Sequence, residues 1–216
     1  MSTQPQAPSG VETQRFPDSP VTVTMIASEQ QSRAGAYSLL ASLLRSAPSA
    51  TTLESLSNLN EVDSSIDELA LATSTLGLAA GQGQADLVDD EYHALFIGLG
   101  RGELVPFASW YLTGFLMERP LAVLREDLKV LGYERQQQIF EPEDHIAALC
   151  EVMAMMIVDN QDIDTQRRFF TTHIGNWANR FFNDLYQAKA AAFYRAVGRF
   201  GLAFIDLETG YLSIEA

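Results

Sequence analysis

At 216 residues with 47% hydrophobic content, the chain has the length and composition of one globular domain with a sizeable core. Acidic residues outnumber basic ones 28 to 14, a balance that repels nucleic-acid phosphates and anionic lipid and argues against nucleic-acid binding. No stretch approaches the roughly 18 continuous apolar residues of a membrane span, and no basic flank precedes an apolar run as in a signal peptide. Cys150 is the single cysteine, which excludes an internal disulfide and fits a reducing cytoplasm, the expected location.

Residues 1–25 are rich in Pro, Ser, Gln and Thr without an apolar period, and a disordered tail is expected there. From Ser28 the pattern changes: Tyr37, Leu40, Ala41 and Leu44 recur at helical spacing until Pro48. Glu61–Leu78 and Ala85–Ile97 read as further helices, parted by Gly81-Gln82-Gly83. Gly98 to Gly102 form a loop, Pro106 restarts order, and Ala108–Met117 and Leu121–Leu131 follow as helices split near Pro120 and stopped at Gly132. The helix after Pro142 aligns Ile146, Leu149, Cys150, Met153 and Ile157. Another carries Ile174, Trp177, Ala178, Phe181, Phe182 and Leu185, and the last carries Phe193, Ala196, Val197, Phe200 and Phe204. Val21–Ile26 and Gly210–Ile214 are the two weak strand candidates. The expected fold is all-α, a single bundle of about eight to ten helices over residues 26–216.

The acid excess is uneven. Between Pro48 and Leu104 stand ten acids and one base, Arg101, a surface that is either simply soluble or attractive to a basic partner. Metal chemistry finds little support: His93, His145 and His173 are far apart, and no His-x-x-x-His or Cys-x-x-Cys spacing occurs. Asp89, Asp90, Glu91 and His93 cluster locally, as a solvated helix face does. Cys150 lies on an apolar stripe, where a thiol is structural. The glycine loop follows a helix rather than a strand and lacks a closing Gly-Lys-Ser/Thr, so it reads as a hinge or cap. No catalytic residue is expected. A helical enzyme or nucleotide hydrolase using the cluster 89–93 and the loop 98–102, or a general helical adaptor, are the alternatives carried forward.

Aromatic material remains. Tyr92, Leu95 and Phe96 share a face before the glycine loop, and Pro106, Phe107, Ser109, Trp110 and Tyr111 open the next helix. These residues form either core, which their spacing alone favours, or a groove for a peptide, which Trp110 beside Tyr111 supports, since neighbours on one helix cannot both point inward. The segment Glu141-Pro142-Glu143-Asp144-His145-Ile146 is the most informative of the chain. Pro142 suits a first helical position, and Glu143 and Asp144 suit the positive end of the helix dipole. His145 is left unexplained. It is either a neutral imidazole bonded to a carbonyl or to Asp144, or part of a recognition surface whose charge changes near neutral pH.

Three blocks resemble the TorD/DmsD-type chaperones that mature molybdenum-containing redox enzymes. They are Tyr92 to Gly100 with Pro106 to Tyr111; Glu141 to Ile146 with Glu151 and Met153; and Phe169-Phe170 through His173, Trp177-Ala178 and Phe181 to Phe193-Tyr194. The family's glycine loop often reads Gly-Pro-Gly, and here Leu99 stands for the proline. The resemblance implies an all-helical cytoplasmic protein without catalytic activity. It would bind the twin-arginine signal peptide, the body, or both, of a molybdopterin oxidoreductase catalytic subunit, holding export until the cofactor is loaded. It implies a peptide-binding region at Tyr92, Leu95, Phe96, Pro106, Ser109, Trp110, Tyr111, Asp144 and His145. It also implies a hinge over 139–145, with Glu141, Pro142 and Glu143, between an N-terminal part ending at residue 138 and a C-terminal part from residue 146. No cofactor is implied beyond guanine nucleotide as a candidate ligand, and both a monomer and a domain-swapped dimer are compatible with the hinge. A peptide of this kind has a basic head and an apolar body. The expected partners for the head are Asp89, Asp90, Glu91 and Asp144, and for the body Leu95, Phe96 and Trp110.

Overall fold

The apolar stripes fold into ten α-helices among the described residues, which in this computed structural model are 20–61, 67–98, 101–135 and 140–214. In chain order they are α1 (Pro20–Arg45), α2 (Ala50–Ser57), α3 (Glu68–Gln82), α4 (Ala85–Tyr92) and α5 (Ala108–Thr113). There follow α6 (Arg119–Leu131), α7 (Ile146–Val158), α8 (Ile163–His173), α9 (Ala178–Gln187) and α10 (Phe193–Ser213). A 3-10 turn (Asn58–Glu61) follows α2, and a π-helical turn (His93–Ile97) extends α4. The one extended pairing among the described residues is a single bridge between Phe107 and His145.

Local chemistry sets several boundaries. Ser49, Asp67 and Asp162 accept hydrogen bonds from the backbone N–H of Thr52, Ala70 and Thr165 and so start α2, α3 and α8. Gly114 and Gly132, at φ of 83° and 80°, end α5 and α6 in the left-handed region that glycine adopts without strain.

The buried face of α1 runs along α7, and α10 packs against both α9 and α3. α7 is apolar except for Glu151 on its exposed side, with Ile146, Leu149, Cys150, Met153 and Met156 fully enclosed. The core is therefore one continuous cluster drawn from both sides of the 140–145 segment. The Cys150 thiol lies inside it, and burial raises its pKa far above the ordinary range, which keeps it protonated and inert. One charged pair is enclosed as well: Arg33 of α1 and Glu208 of α10 bond twice, at 2.7 and 2.8 Å.

The structure departs from the sequence expectations at element ends. α1 begins at Pro20, so residues 20–25 of the expected tail are helical, and the candidate strand Val21–Ile26 lies within α1; residues 1–19 lie outside the described residues. The other candidate strand continues α10 as far as Ser213. α3 runs on through Gly81 to Gln82, and α5 stops four residues short of Met117, at Thr113. The helix expected after Pro142 starts at Ile146, for a reason that lies at the candidate site.

Candidate functional site

Two distant segments are stitched together where the most informative motif lies. The Ala108 N–H donates to the Asp144 carbonyl, and the Ile146 N–H to the Pro106 carbonyl, both at 2.9 Å. The Asp144 Oδ2 accepts from the Ser109 N–H at 2.9 Å, so this carboxyl caps α5 from 35 residues away. Glu143 and Asp144 form a turn closed by the His145 N–H on the Pro142 carbonyl, and these bonds hold His145 extended, which is why α7 waits until Ile146.

His145 then starts α7: its Nδ1 accepts from the Ala147 N–H at 3.1 Å, and its ring meets Phe107 edge-on at 4.9 Å. The ring is 4% exposed. Burial, helped by the positive charge of Arg45, lowers its pKa to about 3. His145 is thus held as a neutral helix cap, the first of the two readings its position allows, with the Ala147 N–H rather than a carbonyl or Asp144 as its partner.

The 140–143 stretch is tied to its surroundings by charge. Glu143 takes two bonds from Arg125, at 3.0 and 2.8 Å, and faces Arg135 at 3.6 Å. Burial would raise its pKa, but these arginines hold it below the usual carboxylate range. Glu141 pairs with Arg45 at 3.4 Å, and Arg45 also grips Glu151. A cleft of about 430 Å³ opens beside these groups, floored by Leu128, Val152 and Met155.

The glycine loop folds back on the π-helical turn. Glu103 and Leu104 donate their N–H groups to Ala94 and Leu95, and a Cβ on Gly102 would stand 2.5 Å from the Leu95 carbonyl oxygen. Leu99 and Gly100 lie outside the described residues. Arg101 reaches across to lie over the Trp110 ring at 4.8 Å, which brings the end of the loop onto α5.

The residues proposed for a peptide groove fall into two classes of exposure. Tyr92, Leu95, Pro106, Ser109, Asp144 and His145 are buried, whereas Phe96, Trp110 and Tyr111 are half-buried. Tyr92 bonds the Arg45 carbonyl at 2.9 Å and packs with Phe96 against Tyr194. Tyr111 bonds Asp184 at 2.9 Å and lies against Trp177. Among the expected acidic partners, Glu91 is already engaged: its carboxylate accepts the N–H groups of Ala192, Phe193 and Tyr194 and caps α10. Asp89 faces His93 at 3.4 Å, and Asp90 is exposed. Among the described residues no group of three or more His, Cys, Asp or Glu is arranged to hold a metal ion. No helix among them is long and apolar enough to cross a membrane.

Sequence reasoning passed over a second feature. Between α5, α6, α7 and α8 lies a cavity of about 260 Å³, walled by Leu112, Val123, Leu124 and Leu149, with Asp144 and His173 in its lining. His173 bonds Asp127 of α6 at 2.8 Å; burial lowers its pKa despite that carboxylate. The Asp144 Oδ1 is buried without a hydrogen-bond partner, as is the Ser109 hydroxyl. An unsatisfied buried group of this kind costs about 1–3 kcal/mol. No local pattern signals this cavity, because its lining comes from four helices and the Asp144 segment.

The Nitrate reductase delta subunit family model matches residues 59–183. A TorD chaperone protein of Vibrio cholerae is 30% identical over 123 residues, 52% of this chain and 56% of that protein, so the chain matches about half the length of that relative. A TorD chaperone protein of Aliivibrio fischeri is 27% identical over 207 residues, covering 86% of this chain and 96% of its own. The crystal structure of a candidate redox enzyme maturation protein from Archaeoglobus fulgidus superposes with a TM-score of 0.55 at 17% identity, over 81% of this chain and 93% of that one. That likeness is one of fold. With its family model spanning more than half of the sequence, the chain belongs to the nitrate reductase delta subunit family, and its relatives there include the TorD chaperones.

Proposed function

We propose that the protein is a cytoplasmic, non-enzymatic chaperone for the maturation of a redox enzyme. In this reading it binds the twin-arginine signal peptide, the body, or both, of a molybdopterin oxidoreductase subunit, and delays export until the cofactor is inserted. Family membership alongside TorD chaperones supports the maturation role. The observation that carries the peptide role is the stitched crossing of Pro106–Ser109 and Asp144–Ile146 beneath the half-exposed Trp110. The surface residues Phe96, Trp110 and Tyr111 make contact in this proposal, while buried Tyr92, Leu95, Pro106, Ser109, Asp144 and His145 shape the site from below. The 139–145 segment, of which residue 139 lies outside the described residues, acts in this proposal as the hinge between the two parts.

Calorimetry with a twin-arginine peptide tests this. Covering the exposed part of half-buried Trp110, up to about 90 Å², is worth up to about 2 kcal/mol, whereas Asp144, 1% exposed and with one oxygen already on the Ser109 N–H, has only the other to offer, for about 1.5 kcal/mol. Trp110→Ala is therefore expected to weaken binding more than Asp144→Asn does. The reverse order, or equal binding of a paired-lysine peptide, overturns the reading.

A further inference from the structure

The cavity between α5, α6, α7 and α8 has a lipophilic wall, an unsatisfied acid and an unusual rim. Leu112, Val123, Leu124 and Leu149 form the wall. Asp144, 1% exposed, lines the cavity; its Oδ2 is taken by the Ser109 N–H, and its Oδ1 has no partner. Thr113 and Arg119 stand at the cavity, and the bend joining them turns Phe115, Leu116 and Met117 outward, 69%, 47% and 73% exposed. Met117 sits at φ 58°, a left-handed conformation that costs a non-glycine residue energy. A soluble surface seldom presents three successive large apolar side chains unless something covers them.

We propose that the cavity and the 115–117 bend form one docking site, which takes a client segment that inserts a single basic side chain toward Asp144 and lays its adjoining apolar residues over Phe115, Leu116 and Met117. The proposal rests on the chaperone reading and names where the client's head and body divide. Apolar walls suit the methylene stem of an arginine or lysine, and a charged donor is the strongest partner for an orphaned carboxyl oxygen. Arg119 does not fill the role from within, since the Oδ1 stays unpaired with Arg119 at the cavity lining. The net charge of −14 adds a general attraction for a basic segment.

The test is calorimetry on the full chain with four synthetic peptides, in which Arg-Arg, Arg-Gln, Gln-Arg or Gln-Gln precedes the same Leu- and Ala-rich stretch. A one-chain socket predicts that one of the two single-arginine peptides matches Arg-Arg, and that Gln-Gln binds roughly tenfold more weakly. In Asp144→Asn that arginine preference disappears. Phe115→Ser with Met117→Ser weakens all four peptides by a similar factor of roughly ten. Preference that survives in Asp144→Asn, or a bend variant that binds like the parent, overturns the socket while leaving the chaperone reading in place. A parent protein that binds none of the four overturns both. Should Asp144→Asn fail to fold by circular dichroism, Thr172→Arg, on the exposed edge of the same cavity, is expected to erase the preference by supplying a guanidinium from within; an intact preference there also overturns the proposal.

Discussion

Replacing Glu208 with Leu probes how the first and last long helices are held together. Arg33 and Glu208 are 3% and 0% exposed, and two bonds of 2.7 and 2.8 Å join them. Tyr37 donates a third bond to the same carboxylate at 3.0 Å, and Gln30 and Gln166 accept from the remaining guanidinium nitrogen. Burial would lower the Arg33 pKa, but Glu208 reverses this and raises it. Leu at 208 leaves that guanidinium enclosed and unpaired, at a cost of about 3–5 kcal/mol. For a domain of this size, each kcal/mol moves Tm by about 2–4 °C, so a drop of roughly 6–20 °C is expected in thermal unfolding followed by circular dichroism. Arg33→Met added to Glu208→Leu removes both charges, and stability is expected to recover to within about 1–2 kcal/mol of the parent. A single variant that loses less than about 1 kcal/mol, or a double variant no better than the single one, refutes the reasoning.

Two further predictions concern groups that start helices. His145 has its folded pKa depressed to about 3, so between about pH 6.5 and pH 3 the unfolded chain binds the extra proton. The stability tied to the neutral ring is fully present above about pH 6.5 and is lost as pH falls, by about 1.4 kcal/mol per unit. His145→Asn, which still caps, is expected to flatten this part of a urea-midpoint series against pH; parallel curves for the two proteins speak against it. Glu91→Ala removes the acceptor for three N–H groups of α10 and is expected to cost about 1–2 kcal/mol, with faster amide exchange at residues 192–194; unchanged exchange there speaks against the cap.

What was legible in the sequence was whatever one helix decides for itself. The stripes of Tyr37 to Leu44, Ile146 to Ile157 and Phe193 to Phe204 all face the core, and the all-α fold follows from them. Gly132 stops α6 as its conformational freedom predicts. The start of α7 was not legible, because bonds to a segment 35 residues earlier override the local preference of Pro142 for a helical first turn. Glu91 is similar. Within its own helix it looks like solvated charge, yet it caps α10, 101 to 103 residues further along the chain. Tyr92 and Leu95 shared a face as expected, but Tyr194 and the C-terminal end of α1 cover it. The cavity is a product of four helices meeting and has no local signature.

The stitched crossing also has a mechanical meaning. Three hydrogen bonds of 2.9 Å couple Asp144 and Ile146 to Pro106 and the first turn of α5, and Trp110 rides on that turn. A pull on the 140–145 strap must therefore either rupture all three or drag α5 and its indole along. Whatever grips Trp110 loads the strap, and whatever grips the strap tilts Trp110.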